Sequence, residues 1–162
     1  APEKAANLFA HAAMRLSIPA VFIGAGECEI ELRKICPEAE FPGWLSHEDV
    51  ESYFSSARAL VFPSKWYETM GLSVAEAVAH GVPAIVSDAC AARDEIVDGA
   101  TGCLFSSGDV DSLCRKIKFF QDDEVVQRFS ERAYQDYWQQ ERDGESYVNE
   151  LLEIYNRTLS EL

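Results

Sequence analysis

The sequence predicts an α/β protein with a doubly wound parallel sheet, because short apolar runs alternate with helical patterns along the chain. Turn residues separate the runs from the helices, as expected for strands joined by helical crossovers. The predicted strands lie near residues 19–23, 39–41, 60–62, 84–86 and 103–105. The predicted helices are Ala5–Leu16, Glu27–Cys36, Glu48–Ser56, Gly71–His80, Val110–Phe120, Asp122–Trp138 and Gly144–Leu159, with a single helical turn at 95–97.

Length and composition indicate one globular domain, residues 1–162, of which 48% are hydrophobic and 11% aromatic. No apolar run approaches the roughly 20 residues of a membrane span, and no signal peptide is recognisable. The formal net charge of −14 argues against binding to nucleic acid or to an acidic membrane surface. An anion site built from backbone amides remains compatible with this charge.

The five cysteines occur without a C-x-x-C spacing, which predicts reduced, structural thiols and a cytoplasmic protein. The three histidines are widely separated and have no metal-ligand spacing. We therefore expect no structural zinc. The cysteines are Cys28, Cys36, Cys90, Cys103 and Cys114, and the histidines are His11, His47 and His80.

The most informative stretch, Leu60–Asp88, reads as strand, loop, helix, tight turn and strand. Pro63 ends the first strand, and Gly81 stands where a helix end favours a residue with positive φ. Pro83 cannot continue the helix, so the second strand follows directly. This stretch therefore predicts a right-handed βαβ unit.

Two carboxylates flank the start of this helix, Glu68 in the loop and Glu76 about 7.5 Å along the axis. We expect Glu76 at the edge of an apolar stripe formed by Leu72, Ala75 and Ala79. Thr69, Met70 and Gly71 lie between the carboxylates, and their free amides would open the helix as an anion site. A nucleotide-diphosphate sugar fits this pattern, with the diphosphate on the helix end and hydroxyls on the carboxylates. An ordinary crossover in which Glu76 has a local partner is the alternative.

Several motifs in order along the chain resemble the retaining GT-B glycosyltransferases of family 4. The E-x7-E arrangement of Glu68 and Glu76 matches their signature, and four further blocks match in the same order. The resemblance implies the Rossmann-like, donor-binding C-terminal half of a GT-B fold. The four blocks are Pro2–Lys4, the Gly24–Gly26 loop, Phe41–Trp44 and Glu95–Gly99 with Gly102.

The resemblance also implies roles for individual residues. Glu76 would bind the ribose hydroxyls, Glu68 would contact the donor sugar, and Lys4 would act on the donor phosphates. The amides of Met70, Gly71 and Leu72 would stabilise the departing phosphate, and Gly24 and Gly26 would lie near it. No metal or other cofactor is expected, since the chain has no Asp-x-Asp motif. The implied partners are the nucleotide-sugar donor and the protein's own N-terminal GT-B domain.

The chain departs from the family pattern in two places. The family has a strand ending in Gly-Arg before the segment matched by Pro2–Lys4, so we expect a fragment that is inactive alone. Cys90-Ala91-Ala92 replaces the family's glycine-rich stretch. The expected function is polysaccharide or glycoconjugate synthesis by the full protein. A GT-B nucleotide-sugar epimerase and a non-catalytic module that binds a nucleotide or a protein are the alternatives.

Overall fold

The computed structural model describes residues 2–66, 70–139 and 144–160 of the chain, and within them strands alternate with helices as predicted. All five predicted strands are present, and every strand pairing is parallel. The strands are β1 Val21–Ile23, β2 Glu40–Gly43, β3 Leu60–Phe62, β4 Ala84–Ser87 and β5 Gly102–Phe105. The helices are α1 Ala6–Leu16, α2 Glu29–Ile35, α3 His47–Phe54, α4 Leu72–Ala79, α5 Val110–Phe119, α6 Asp123–Gln139 and α7 Gly144–Ser160, with 3-10 helices at Pro2–Lys4 and Ala91–Glu95.

The strands form two parallel ladders, β1–β2 and β3–β4–β5. Strand β4 lies in the middle of the larger ladder and is buried at all four positions. Alternate residues of β4 face opposite layers, because side chains alternate along a strand. Ile85 packs with α1 and α5, whereas Ala84 and Val86 pack with α4. The helices therefore cover both faces of this ladder.

Helix α1 packs against both ladders. Leu8 and Ala12 belong to the cluster that covers β4 and β5, and Ala10 and Ala13 belong to the cluster beneath β1 and β2. Small side chains at these positions let the helix lie close to both layers. Helix α1 thus joins the two ladders into one core.

Polar caps fix the starts of two helices. The Ser46 hydroxyl accepts the Asp49 amide at 3.2 Å and caps α3, which begins at His47, one residue before the predicted Glu48. The Asp109 carboxylate accepts the Ser112 amide at 3.0 Å and caps α5 in the same way. Gly81 has φ +72° after α4, as the predicted turn requires.

Three local predictions are wrong in detail. The helical turn expected at 95–97 lies instead at Ala91–Glu95, and Ile96 is extended, with φ −128° and ψ 155°. Helix α1 begins at Ala6, since Ala5 takes a left-handed conformation after the first turn. The buried face of α4 is formed by Val74, Ala75, Ala77 and Val78, whereas Leu72 is 61% exposed.

Helix α7 presents its apolar side chains to solvent. Tyr147 and Leu159 are 66% and 69% exposed, and Ile154 and Tyr155 are at least half exposed. These four side chains are therefore not part of the core of the described residues. No helix within residues 2–66, 70–139 and 144–160 has both the length and the apolar character to cross a bilayer.

Candidate functional site

The candidate site lies where β3, β4 and β5 end, because the carboxyl ends of parallel strands meet at one edge of a sheet. The loop after β3 leads to α4, the loop after β4 leads to the Ala91–Glu95 3-10 helix, and the loop after β5 leads to α5. The predicted βαβ unit around α4 is confirmed by the parallel pairing of β3 with β4.

Close backbone packing fixes the start of α4. Gly71 precedes the helix, and a Cβ added there would lie 2.3 Å from the Cβ of Ala92 and 2.9 Å from its Cα. Ala92 is fully buried in the 3-10 helix that follows β4. Glycine at position 71 therefore lets α4 approach the β4 loop more closely than any side chain would allow.

The first amides of α4 point out of the helix end. The earliest amides bonded within the helix are those of Val74 and Ala75, which both donate to the Gly71 carbonyl at 2.8 and 3.0 Å. Within the described part of the chain, the amides of Met70, Gly71 and Leu72 have no hydrogen-bond acceptor. Such amides carry the positive end of the helix dipole and can bind an anion.

Glu76 lies on the partly exposed side of α4, beside the exposed Leu72, and not at the edge of a buried stripe as predicted. Helical side chains lean toward the N-terminus, so the Glu76 carboxylate extends back toward the open end of α4. No hydrogen bond or ion pair joins this carboxylate to another described residue. It is thus available to accept hydroxyl groups of a ligand.

Other predicted residues of this loop are only partly accounted for. Met70 is 56% exposed at the start of α4. Glu68 and Thr69 lie outside the described residues, so their predicted roles stay predictions.

The first turn, which carries Lys4, is attached to the loop after β3. The Lys65 amide donates to the Glu3 carbonyl at 2.9 Å, which holds Pro2–Lys4 at the carboxyl edge. Lys4 is exposed there. The structure thus places Lys4 beside the loop that leads to α4.

The predicted glycine loop follows β1 and has a structural role of its own. Gly24 has φ +119°, a conformation that favours glycine, and its amide donates to the Gly43 carbonyl at 2.8 Å. Gly26 accepts the Glu29 amide at 3.1 Å and opens α2. The positive φ explains Gly24 without a ligand, and the predicted place of both glycines near the phosphates stays a prediction.

Two basic residues at the carboxyl edge were not singled out from the sequence. Lys65 follows β3, and the Arg93 guanidinium donates to the Asp88 carbonyl at 3.1 Å after β4. Lys65 lies three residues after a predicted strand and Arg93 lies seven residues after one, and this position was the available signal. Cys90, in the same β4 loop, is 2% exposed and its thiol contacts the Ser87 carbonyl at 3.4 Å, as expected of a structural thiol.

All five cysteines lie within the described residues and are thiols not joined in disulfides, in agreement with the prediction of reduced thiols, and four of them are buried. Within the described ranges, no three His, Cys, Asp or Glu side chains are arranged to share a metal ion.

Comparison with known proteins identifies the family. The family model for glycosyl transferases group 1 matches residues 1–136. The GDP-mannose-dependent alpha-mannosyltransferase of Mycolicibacterium smegmatis is 35% identical over 113 residues, which are 70% of this chain and 29% of that protein. The sulfoquinovosyl transferase SQD2 of Arabidopsis thaliana is 32% identical over 117 residues, which are 69% of this chain and 23% of that protein.

A solved structure confirms the predicted type of fold. Anabaena HepE in complex with UDP-glucose superimposes with a TM-score of 0.79 at 19% identity, and the match covers all of this chain and 46% of that one. The chain therefore has a Rossmann-like α/β fold of the GT-B type and spans less than half the length of these relatives. From the matched family model and these relatives together, the chain belongs to the glycosyl transferases group 1 family.

Proposed function

We propose that residues 1–162 form the donor-binding, C-terminal domain of a retaining glycosyltransferase of family 4 that uses a nucleotide-diphosphate sugar. One observation carries this proposal: α4 opens with unbonded amides at the carboxyl edge, and the Glu76 carboxylate beside them has no partner among the described residues. Relatives named for GDP-mannose and crystallised with UDP-glucose agree with a donor of this class.

The amides at the start of α4 would stabilise the leaving group. When a sugar leaves a nucleotide diphosphate, negative charge builds on the departing phosphate while the anomeric carbon becomes oxocarbenium-like. Preorganised donors that face this charge lower the barrier. The amides of Met70, Gly71 and Leu72 are held in place by the contact of Gly71 with Ala92, so they need no rearrangement during the reaction.

The two glutamates and Lys4 would share the remaining work. The Glu76 carboxylate would accept the ribose hydroxyls and thereby place the diphosphate on the helix end. Glu68 would contact the donor sugar, and Lys4 would add positive charge at the phosphates. In the front-face route to retention, the acceptor would approach from the face that the diphosphate leaves, and the departing phosphate would itself take the acceptor's proton.

The edges of the two ladders support the proposal that this domain is part of a longer protein. Val21 and Ile23 of β1 are 38% and 42% exposed, although both are apolar, whereas β4 with two neighbours is fully buried. The outer strands are protected: β2 contains Pro42, and the Asp98 carboxylate accepts the Leu104 amide of β5.

The inner edges of β1 and β3 have no comparable protection. A strand contributed by residues preceding Pro2 would lie beneath α1 and pair with both β1 and β3. It would run parallel to them, because the first turn is held at the carboxyl edge through the Glu3 carbonyl. Helix α1 would then be its right-handed crossover to β1.

The acceptor would bind to an N-terminal GT-B domain across the cleft, and residues 1–162 alone would not catalyse transfer. The exposed apolar side of α7 would contact the same domain. We also propose a cytoplasmic location, which five reduced cysteines favour, and a role in polysaccharide or glycoconjugate synthesis.

Donor binding is tested by calorimetry on the full-length protein with GDP, UDP and ADP and with their sugar conjugates, in the presence and absence of EDTA. We expect one nucleotide to bind selectively, binding to be lost in Glu76→Ala, and EDTA to have no effect. Glu131→Ala, a change of an exposed glutamate in α6, is the control and should bind as the wild type does.

Product analysis by NMR then separates the possible reactions. A glycosylated acceptor with the donor's anomeric configuration supports the proposal. An inverted product excludes the retaining mechanism, and a free epimerised sugar nucleotide without acceptor product identifies an epimerase. Selective binding that Glu76→Ala leaves unchanged would disprove the assigned role of Glu76.

A further inference from the structure

The backbone of Lys65 is held in place at the carboxyl edge. It follows Ser64, which is 1% exposed, and its backbone amide donates to the Glu3 carbonyl at 2.9 Å. The direction in which the side chain leaves the backbone is therefore set by β3 on one side and by the first turn on the other.

The tip of the Lys65 side chain reaches the loop after β5. A Cβ added to Gly108 would lie 3.7 Å from both Cε and Nζ of Lys65. Strand β4 lies between β3 and β5, so the lysine side chain crosses the carboxyl end of β4. Its ammonium group therefore lies beside the start of α5, whereas the start of α4 packs on the β4 loop through Gly71 and Ala92. Positive charge thus borders the end of β4 on both sides.

Two acidic residues in the loops after β4 and β5 accept backbone amides. The Asp88 carboxylate accepts the Ser107 amide at 2.9 Å, and the Asp109 carboxylate accepts the Ser112 amide at 3.0 Å. Within the described residues, no carboxylate oxygen lies within 4.0 Å of the Lys65 ammonium. The whole chain carries 28 acidic and 14 basic residues, so a cation kept apart from carboxylates at this edge is suited to an external anion.

We propose that the Lys65 ammonium binds phosphate oxygens of the donor's diphosphate, opposite the amides at the start of α4. This inference rests on the proposed function and adds a phosphate contact to it. A lysine is suited to this role, because its compact charge on a flexible stem can follow phosphate oxygens as the group leaves. Lys65 is thus a residue of the donor site in addition to those predicted from the sequence.

The test compares nucleosides with their diphosphates in calorimetric titrations of the full-length protein. The probes are GDP, UDP and ADP with guanosine, uridine and adenosine, and the variants are Lys65→Ala, Lys65→Arg and Lys118→Ala. Lys118 is exposed in the last turn of α5, about 12 Å along the helix from the start that lies beside Gly108. It is the matched control for the loss of one positive charge.

We expect Lys65→Ala to weaken binding of the preferred diphosphate about tenfold and to leave affinity for the nucleoside unchanged, since only the diphosphate reaches the ammonium. Lys65→Arg should recover at least half of the loss on a logarithmic scale, and Lys118→Ala should match the wild type. The substitution keeps the backbone bond to Glu3, so the melting temperature should not change and a folding defect is excluded as the cause.

Two results would overturn the inference, and they differ in meaning. If the wild type binds a diphosphate and Lys65→Ala binds it equally well, or loses nucleoside and diphosphate affinity alike, Lys65 is not a phosphate ligand while the donor site stands. If the wild type binds none of the three diphosphates, the proposed function fails together with the role of Lys65.

Discussion

Replacing Gly71 by alanine tests whether close packing holds the start of α4 in place. The new Cβ would lie 2.3 Å from the Cβ of Ala92, whereas carbon atoms normally approach to about 3.5 Å. The helix start and the 3-10 helix would have to separate by about 1.2 Å. Gly71 has φ −97° and ψ 62°, which lies between the main allowed regions for alanine, so a conformational cost adds to the steric one.

Overpacking of this kind costs about 1–3 kcal/mol of the free energy of unfolding. For a chain of this size, 1 kcal/mol corresponds to about 2–4 °C in melting temperature. We therefore expect Gly71→Ala to lower the melting temperature by about 2–12 °C, followed by circular dichroism, and to weaken donor binding at least tenfold, because the amides of α4 move.

Ala92→Gly removes the atom that the new Cβ would meet, so the double variant should recover part of the loss. Recovery would be incomplete, since the Cα of Ala92 would still lie 2.9 Å from the added Cβ. Gly99→Ala is the control without a steric clash. A Cβ added to Gly99 would have no neighbouring atom within 4 Å, and only the φ of +82° is unfavourable for alanine. If Gly71→Ala matches the wild type in stability and donor affinity, or Ala92→Gly gives no recovery, the packing argument is refuted.

Three further predictions concern stability. Arg58 donates to the Phe120 and Gln121 carbonyls at 3.1 Å and pairs with Asp123 at 2.6 Å, so Arg58→Ala should cost about 1–2 kcal/mol in urea denaturation. Asp123→Ala, which removes only the exposed ion pair, should cost less than about 1 kcal/mol, and an equal cost would contradict this ranking. Asp109→Ala should cost about 1 kcal/mol of unfolding free energy through loss of the α5 cap. Asp109→Asn should keep most of this stability, because the asparagine side-chain oxygen can accept the same amide. If Asp109→Asn loses as much stability as Asp109→Ala, the charge matters more than the cap. Burial raises the pKa of the Cys103 thiol, so the stability that the neutral thiol contributes is complete below its unfolded pKa of about 8.5 and is lost as pH rises through the higher folded pKa. Between pH 8 and 10, the free energy of unfolding of Cys103→Ala should therefore fall less steeply than that of the wild type. Parallel curves of unfolding free energy against pH would contradict the assignment. Tyr53, whose pKa is raised by its hydrogen bond to Glu40, contributes equally in both proteins and does not affect the comparison.

The predicted strands and the βαβ unit agree with the structure, because apolar runs and turn residues carry strong local signals there. The end of α4 is an example of such a signal. Gly81 takes the positive φ that the turn requires, and Pro83 cannot continue the helix, so the position of the helix end can be predicted from these two residues. The burial of α4 was less predictable, since periodicity alone does not show which layer covers a helix. Leu72 is apolar yet exposed, because it lies about 160° around the helix axis from the buried Val74.

The positions and conformations of short or irregular segments could not be predicted from sequence patterns. The Ala91–Glu95 3-10 helix has too few residues to show a period, so its position was misplaced by four residues at the start. The left-handed conformation of Ala5 depends on the bond from its amide to the Pro2 carbonyl, which no residue type indicates. Lys65 was overlooked because the direction of a loop side chain depends on neighbours distant in sequence, here Gly108.

All three tryptophans of the chain are exposed, and this decides which optical signals are useful. Trp44, Trp66 and Trp138 are 85%, 62% and 63% exposed, so their indole rings already contact water in the folded protein. The fluorescence of Trp44 and Trp66 should shift little on unfolding, whereas Trp138 would lose its bond to the Ala79 carbonyl. Trp66 lies two residues before Glu68, and its emission should change when a ligand contacts that loop. The emission of Trp66 is therefore a poor measure of folding and a label-free measure of binding at the carboxyl edge.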